Sequence, residues 1–157
     1  MAWNFEVKDL ASRPTLSKRL MTSVTQLPQV IGTAYMDICN YLAQIGEMVA
    51  EEPYVAYHNM DMANLDAEIG FTLAHPVTGQ GEMKASEIQA GQFVTCLYKG
   101  KYSDMEPMYG ELVQWIASNN LEPAGACSEF YLNSPDEVPE SELLTRIEWP
   151  VRRKSGV

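Results

Sequence analysis

Laid on itself with a shift of 74 positions, the chain aligns Tyr35 with Tyr109, Tyr41 with Trp115, Leu42 with Ile116, Tyr57 with Tyr131 and Asn59 with Asn133. Four extra residues then enter. At a shift of 78, Ile69 falls on Ile147, Phe71 on Trp149 and Leu73 on Val151. A chain that returns to its aromatic and aliphatic positions in the same order is one structural unit used twice. Whatever fold it adopts must be one that such a unit can make with its own copy.

The local patterns say what the unit is. Trp3 to Lys8 alternates apolar and polar residues, as a strand does, and Pro14 is expected to break it. Leu16 to Val24 reads as a second strand. Leu27, Ile31, Ala34, Tyr35, Ile38, Tyr41, Leu42 and Ile45 recur at spacings of three and four, the stripe of a helix. Thr25 is its expected N-cap, Pro28 suits its first turn, and Gly46 suits the position past its end. Tyr54 to His58 and Leu65 to Leu73 then read as a hairpin, and residues 75–81 as a turn-rich link whose glycines do not form a phosphate loop. The second half repeats this. Gln92 to Tyr98 is a strand, and a helix begins near Ser103 or Glu106, where Ser103 and Glu106 fit a capping box and Pro107 alternatively suits the first helical position. Met105, Met108, Tyr109, Leu112, Trp115 and Ile116 form its stripe, and Asn119-Asn120 ends it. Strands over Cys127–Asn133 and Leu143–Val151 follow.

The expected class is therefore α+β: a tandem strand–helix–strand–strand repeat with pseudo-twofold symmetry, antiparallel sheet, two main helices and a central ligand cleft. Residues 1–157 read as a single domain, with repeat one over about 4–75 and repeat two over about 81–152. No run approaches the roughly 18 apolar residues of a membrane-spanning helix. The N-terminus lacks a basic region followed by an apolar stretch. A formal net charge of −10 argues against a nucleic-acid surface, because phosphate binding needs clustered Lys and Arg. Cys39, Cys96 and Cys127 are widely spaced and suit small buried thiols in a reduced, cytoplasmic protein. Neither metal nor cofactor is indicated.

Charge breaks the repeat at two places: Val55 corresponds to Glu129, and Glu68 to Arg146. Glu129 lies in an otherwise mostly apolar strand, on one face with Cys127 and Tyr131. A buried carboxylate needs a partner, and one reading is that the partner arrives as a ligand. An exposed edge glutamate, or one paired with Lys or Arg, is the competing reading.

The order and spacing of several stretches resemble the GyrI-like small-molecule-binding domain, also called the bacterial transcription activator effector-binding domain. These are Tyr54-Val55-Ala56-Tyr57 with Asn59-Met60-Asp61, Asp66 to Phe71, Met105 to Tyr109, Trp115-Ile116, and Glu129 to Asn133 with Pro135. The likeness covers roughly residues 4–152. It implies the tandem fold with a central cleft, and a glutamate, matched by Glu129, that meets cationic aromatic ligands among tyrosines. It differs where many relatives carry a His and a Gly-Pro-Tyr; here the stretch is Tyr98-Lys99-Gly100-Lys101-Tyr102. No helix-turn-helix accompanies the domain, so a stand-alone form is expected.

The ligand-binding candidates are Glu129, Tyr131, Tyr57, Trp115, Glu68, Phe71, Trp149 and Tyr98. A carboxylate in a low-dielectric pocket attracts a cation, and each aromatic face adds about 0.5–2 kcal/mol. Core packing is the competing role for every aromatic. The resulting function is binding of amphipathic, cationic aromatic small molecules for sensing or sequestration, without membrane or nucleic-acid partners. Two alternatives stay open: a small hydrolase of electrophilic, cyclopropane-type compounds using Glu129 and Glu68 as an acid–base pair, and an acidic protein that modulates a partner.

Overall fold

A computed structural model of the chain describes residues 3–154. Met1, Ala2 and residues 155–157, which the single-domain reading includes, lie outside the described residues. The class is α+β, with antiparallel strands throughout. In chain order the elements are β1 (Glu6–Leu10), β2 (Arg13–Thr22), α1 (Leu27–Ile45), β3 (Tyr54–Tyr57), β4 (Leu65–Thr72) and β5 (Lys84–Ile88). Then come β6 (Gly91–Lys99), α2 (Glu106–Ser118), β7 (Leu121–Pro123), β8 (Cys127–Tyr131) and β9 (Leu144–Arg153). No helix among the described residues is long and apolar enough to cross a membrane.

Residues 11–90 form one compact unit. Its strands run in the order β3-β4-β2-β5. α1 covers the face that carries Leu16 and Phe71, packing Ile38, Tyr41 and Leu42 against them. Most of the predicted stripe is thus the buried side of the helix, with Ile45 exposed at its end, and each fully buried aliphatic on it contributes about 1.5–3 kcal/mol. Gly46 closes α1 in the left-handed conformation at φ 71°, donating its N–H to the Ala43 carbonyl.

The remaining described residues form the second unit, with strand order β1-β6-β9-β8 and β7 also paired to β9. The first strand of the chain therefore pairs with the second half, Glu6 opposite Thr95. α2 contributes Met108, Leu112 and Ile116 to a core shared with Val94, Cys96, Cys127, Ile147 and Val151.

The two units carry the same strand–helix–strand–strand order and the same register. In one, Val55 stands opposite Ile69, Tyr57 opposite Ala67 and Tyr54 opposite Gly70. In the other, Glu129 stands opposite Ile147, Tyr131 opposite Thr145 and Ser128 opposite Glu148. Each pair maps onto its counterpart through the shifts of 74 and 78 read from the sequence. The repeat is thus a repeat of cross-strand pairing as well as of composition.

Several local expectations are corrected. Pro14 does not break the chain; it lies second in β2, where its carbonyl accepts the Leu73 N–H at 2.8 Å. Neither helix has a side-chain cap: Gln26 precedes α1 and Met105 precedes α2, in place of Thr25 and the Ser103–Glu106 box. A proline in the first turn of each helix removes one unsatisfied N–H and lowers the need for a cap. β5 and β7 carry no sequence signal, because Lys84-Ala85-Ser86-Glu87-Ile88 is almost wholly exposed and Leu121–Pro123 is only three residues long. Cys39 is exposed, since it falls on the outer side of α1; Cys96 and Cys127 are buried as expected.

Gly70 in β4 is a point of close approach between two strands of the first unit. A Cβ there would overlap the Leu16 carbonyl oxygen and lie 2.8 Å from Ser17 Cβ, on the strand paired alongside. Gly70→Ala is expected to cost about 1–3 kcal/mol, read as a lower urea midpoint at unchanged slope.

Candidate ligand-binding site

β8 is only five residues long, yet it places a carboxylate in the core of its unit. Successive side chains alternate, so Cys127, Glu129 and Tyr131 share the face toward α2, where Cys127 joins the apolar core. Glu129 is 8% exposed. Both of its oxygens accept phenolic hydroxyls. Tyr109, from the second turn of α2, donates to Oε2. Tyr131 donates to Oε1 at 2.9 Å. The Cys127 thiol donates toward the Tyr109 hydroxyl at 3.9 Å. Tyr102, in the short 3-10 turn before α2, meets Tyr131 edge-on with ring centroids 5.6 Å apart. Tyr102 is 40% exposed, so the aromatic cluster runs from the buried carboxylate to the surface.

Among the described residues no Lys, Arg or His is paired with Glu129. Burial raises its pKa above the ordinary carboxylate value, and the hydrogen bonds from Tyr109 and Tyr131 partly offset this. Burial likewise lifts the Tyr109 phenol well above its usual value, with Cys127 and Glu129 adding to the effect. The Cys127 thiol is raised first by burial and then by Glu129. Burial also raises the Cys96 thiol, to about 11. The Tyr109 phenol and the Cys127 thiol are thus neutral at pH 7, and the cluster is a set of hydrogen-bond donors around one carboxyl group.

The candidates read from the sequence separate into distinct environments. Glu129 and Tyr131 come together. Trp115 packs against Phe5, rings 6.0 Å apart, and Trp149 donates its indole N–H to the Gly125 carbonyl at 3.1 Å. Tyr98 is buried, its hydroxyl bonded to the Lys101 carbonyl at 2.8 Å. All three aromatics border the core of the Glu129 unit. In the other unit, Phe71 is buried under α1 against Tyr35, and Tyr57 is half-buried at the end of β3. Glu68 occupies the face of its sheet away from α1, where it accepts from Ser17 Oγ at 2.8 Å and meets His58 Nε2 at 3.0 Å. Arg146, its counterpart, stacks over Phe130 at 4.3 Å and pairs with buried Glu148.

Tyr109 is the partner of Glu129 that the sequence does not single out, because it lies in the apolar stripe of α2. Its signal was present, since a tyrosine in an apolar stripe brings a hydroxyl that must find a partner when buried. Its counterpart Tyr35 bonds the Tyr54 carbonyl at 3.3 Å, next to the apolar Val55. Where Val55 is replaced by Glu129, the equivalent tyrosine has a carboxylate to reach.

The family model for the GyrI-like small molecule binding domain matches residues 4–152. The chain belongs to this family of small-molecule-binding domains. The crystal structure of the EcmrR C-terminal domain is similar over 98% of this chain and 100% of that one, at a TM-score of 0.83 and 21% identity. EcmrR in its DNA complex gives a TM-score of 0.86 at 20% identity, and the present chain spans 59% of it. SAV2435 bound to tetraphenylphosphonium is similar over 95% of this chain and 94% of that one, at a TM-score of 0.61 and 13% identity. A hydrolase encoded by lin2189 from Listeria innocua covers 95% of this chain and 92% of its own, at 0.65 and 14%. A comparison with curated proteins returned no match.

The raised pKa of Glu129 has a definite sign in stability. The folded chain holds this proton more tightly than the unfolded chain. Its contribution is complete below the unfolded carboxylate value of about 4.3 and is lost as pH rises through the folded value. Glu129→Gln removes that loss. Its melting temperature is expected to match wild type near pH 4 and to exceed it by about 2–5 °C at pH 8, read by thermal melts across that range.

Proposed function

We propose that the domain binds amphipathic cations bearing aromatic groups, for sensing or sequestration, and that Glu129 is the ligand's counter-charge. The observation that carries this is a carboxylate 8% exposed, held by two phenols and paired with no cation among the described residues. Two neutral donors soften the desolvation of a carboxylate, but they do not supply the opposite charge that would offset it. A soft organic cation does so, and it loses little hydration on entering. Tyr131 and Tyr102 offer ring faces beside the carboxylate, and cation–π attraction strengthens as water is excluded. The structural similarity to SAV2435, solved with a cation that carries four phenyl rings, supports the same reading.

Tetraphenylphosphonium and tetraphenylborate have the same shape and opposite charge, so together they test the counter-charge directly. At about 100 times its dissociation constant the phosphonium is expected to stabilise wild type by roughly 2.7 kcal/mol, and the borate not at all. Glu129→Gln is expected to lose about tenfold or more of the phosphonium affinity. In wild type that affinity should increase with pH through the Glu129 ionisation, because only the carboxylate attracts the cation. Equal binding of both ions, or undiminished binding by Glu129→Gln, would sink the proposal.

A further inference from the structure

At two places on the side of the sheet that faces its helix, the second unit carries a polar residue where the first carries an apolar one. Val55 is replaced by Glu129, and Ala67 by Thr145. Both first-unit residues are fully buried, so the repeat fold itself asks for no polar atom at either place. The two changes are neighbours. Glu129 stands opposite Ile147 on β9, and Thr145 lies two residues along β9, opposite Tyr131. Such diagonal positions bring Cβ atoms to within about 7–8 Å on one face of a sheet.

Thr145 is wholly buried, and its Oγ1 has no hydrogen-bond partner among the described residues. Its position explains why. Tyr98 and Tyr131 flank it across β6 and β9 and across β8 and β9. Their hydroxyls are committed elsewhere, that of Tyr98 to the Lys101 carbonyl and that of Tyr131 to Glu129. Leu143 and Ile147, the neighbours along the chain on the same face, are apolar and fully buried. An orphaned hydroxyl at a site where the sibling unit manages with alanine is a cost without a structural return.

We infer that Thr145 is a second polar anchor of the Glu129 site, and that the ligand's cationic group bears N–H donors, bridging the Glu129 carboxylate and the Thr145 hydroxyl. This rests on the reading of Glu129 as counter-charge and narrows the ligand class. A protonated amine or amidinium makes both bonds. A quaternary ammonium or phosphonium satisfies the charge and leaves Thr145 unpaired.

The test uses two probes on one skeleton, 2-naphthylmethylammonium and its N,N,N-trimethyl analogue, with affinities read by titration calorimetry. Wild type is expected to bind the N–H probe more tightly. Thr145→Val, which keeps the shape and removes the hydroxyl, should weaken the N–H probe about tenfold and the trimethyl probe less than twofold. Thr145→Ser should preserve the preference. If the valine variant fails to fold, Thr145→Ala, the residue of the sibling unit, takes its place. A preference that is absent in wild type, or unchanged by removing the hydroxyl, overturns the inference. Equal weakening of both probes also overturns it, because that is what a packing role would give. Glu129→Gln separates the two levels. If it weakens both probes while the preference ignores Thr145, only the second anchor fails. If it weakens neither, or wild type binds neither, the counter-charge reading fails with it.

Discussion

The pairing of β9 with its neighbours governs the second unit. This ten-residue strand hydrogen-bonds to β6, β8 and β7, so its register fixes which side chains of three other strands face α2. A slip of one residue would turn Ile147 and Val151 outward and bring Arg146 and Glu148 into the core. The hydrophobic pattern of β9 forbids that slip. Once it is forbidden, Glu129 has nowhere to go but inward, opposite Ile147. The buried carboxylate is therefore imposed by the packing of its apolar neighbours, which pay for its desolvation.

The arrangement around Glu129 differs from its counterpart in the first unit by the exchange of one apolar residue for a carboxylate. The scaffold tolerates an apolar residue at the same place, as Val55 demonstrates in the first unit. What changes is the set of groups within reach. Tyr109 already occupies the helix position of Tyr35, and Tyr131 the strand position of Tyr57. With glutamate in place of valine, both tyrosine hydroxyls of the second unit bond one carboxylate, whereas Tyr35 bonds a backbone carbonyl. The chemistry was assembled from parts that the fold had already placed.

Much of this was legible in the sequence because repetition supplies an internal comparison. The shifts of 74 and 78 read from aromatic positions reproduce the cross-strand pairs Val55–Ile69 and Glu129–Ile147. Both helices were visible from their stripes, and Gly46 and Asn119 marked their ends. The failures have physical causes. β5 is exposed, so nothing forces its side chains to alternate. The helix caps were assigned from residue type, yet an early proline made a side-chain cap dispensable. Tyr109 was hidden because a residue can serve core and site at once, its ring in one and its hydroxyl in the other. Glu68 is out of phase with Ile69 and Phe71, and its bonds to Ser17 and His58 give it an environment of its own.

The partnership of β1 with β6 has a consequence for the order of events during synthesis. Glu6 and Thr95, which meet across these strands, are 89 residues apart in the chain. At roughly 5–20 residues per second, β1 waits about 4–18 s for its partner to be made. β1 spends that time as an unpaired strand, the state in which chains adhere to one another. Its residues Glu6, Lys8 and Asp9 make it a poor template for such encounters. The charges on this short strand thus protect the nascent chain as well as decorating the finished surface.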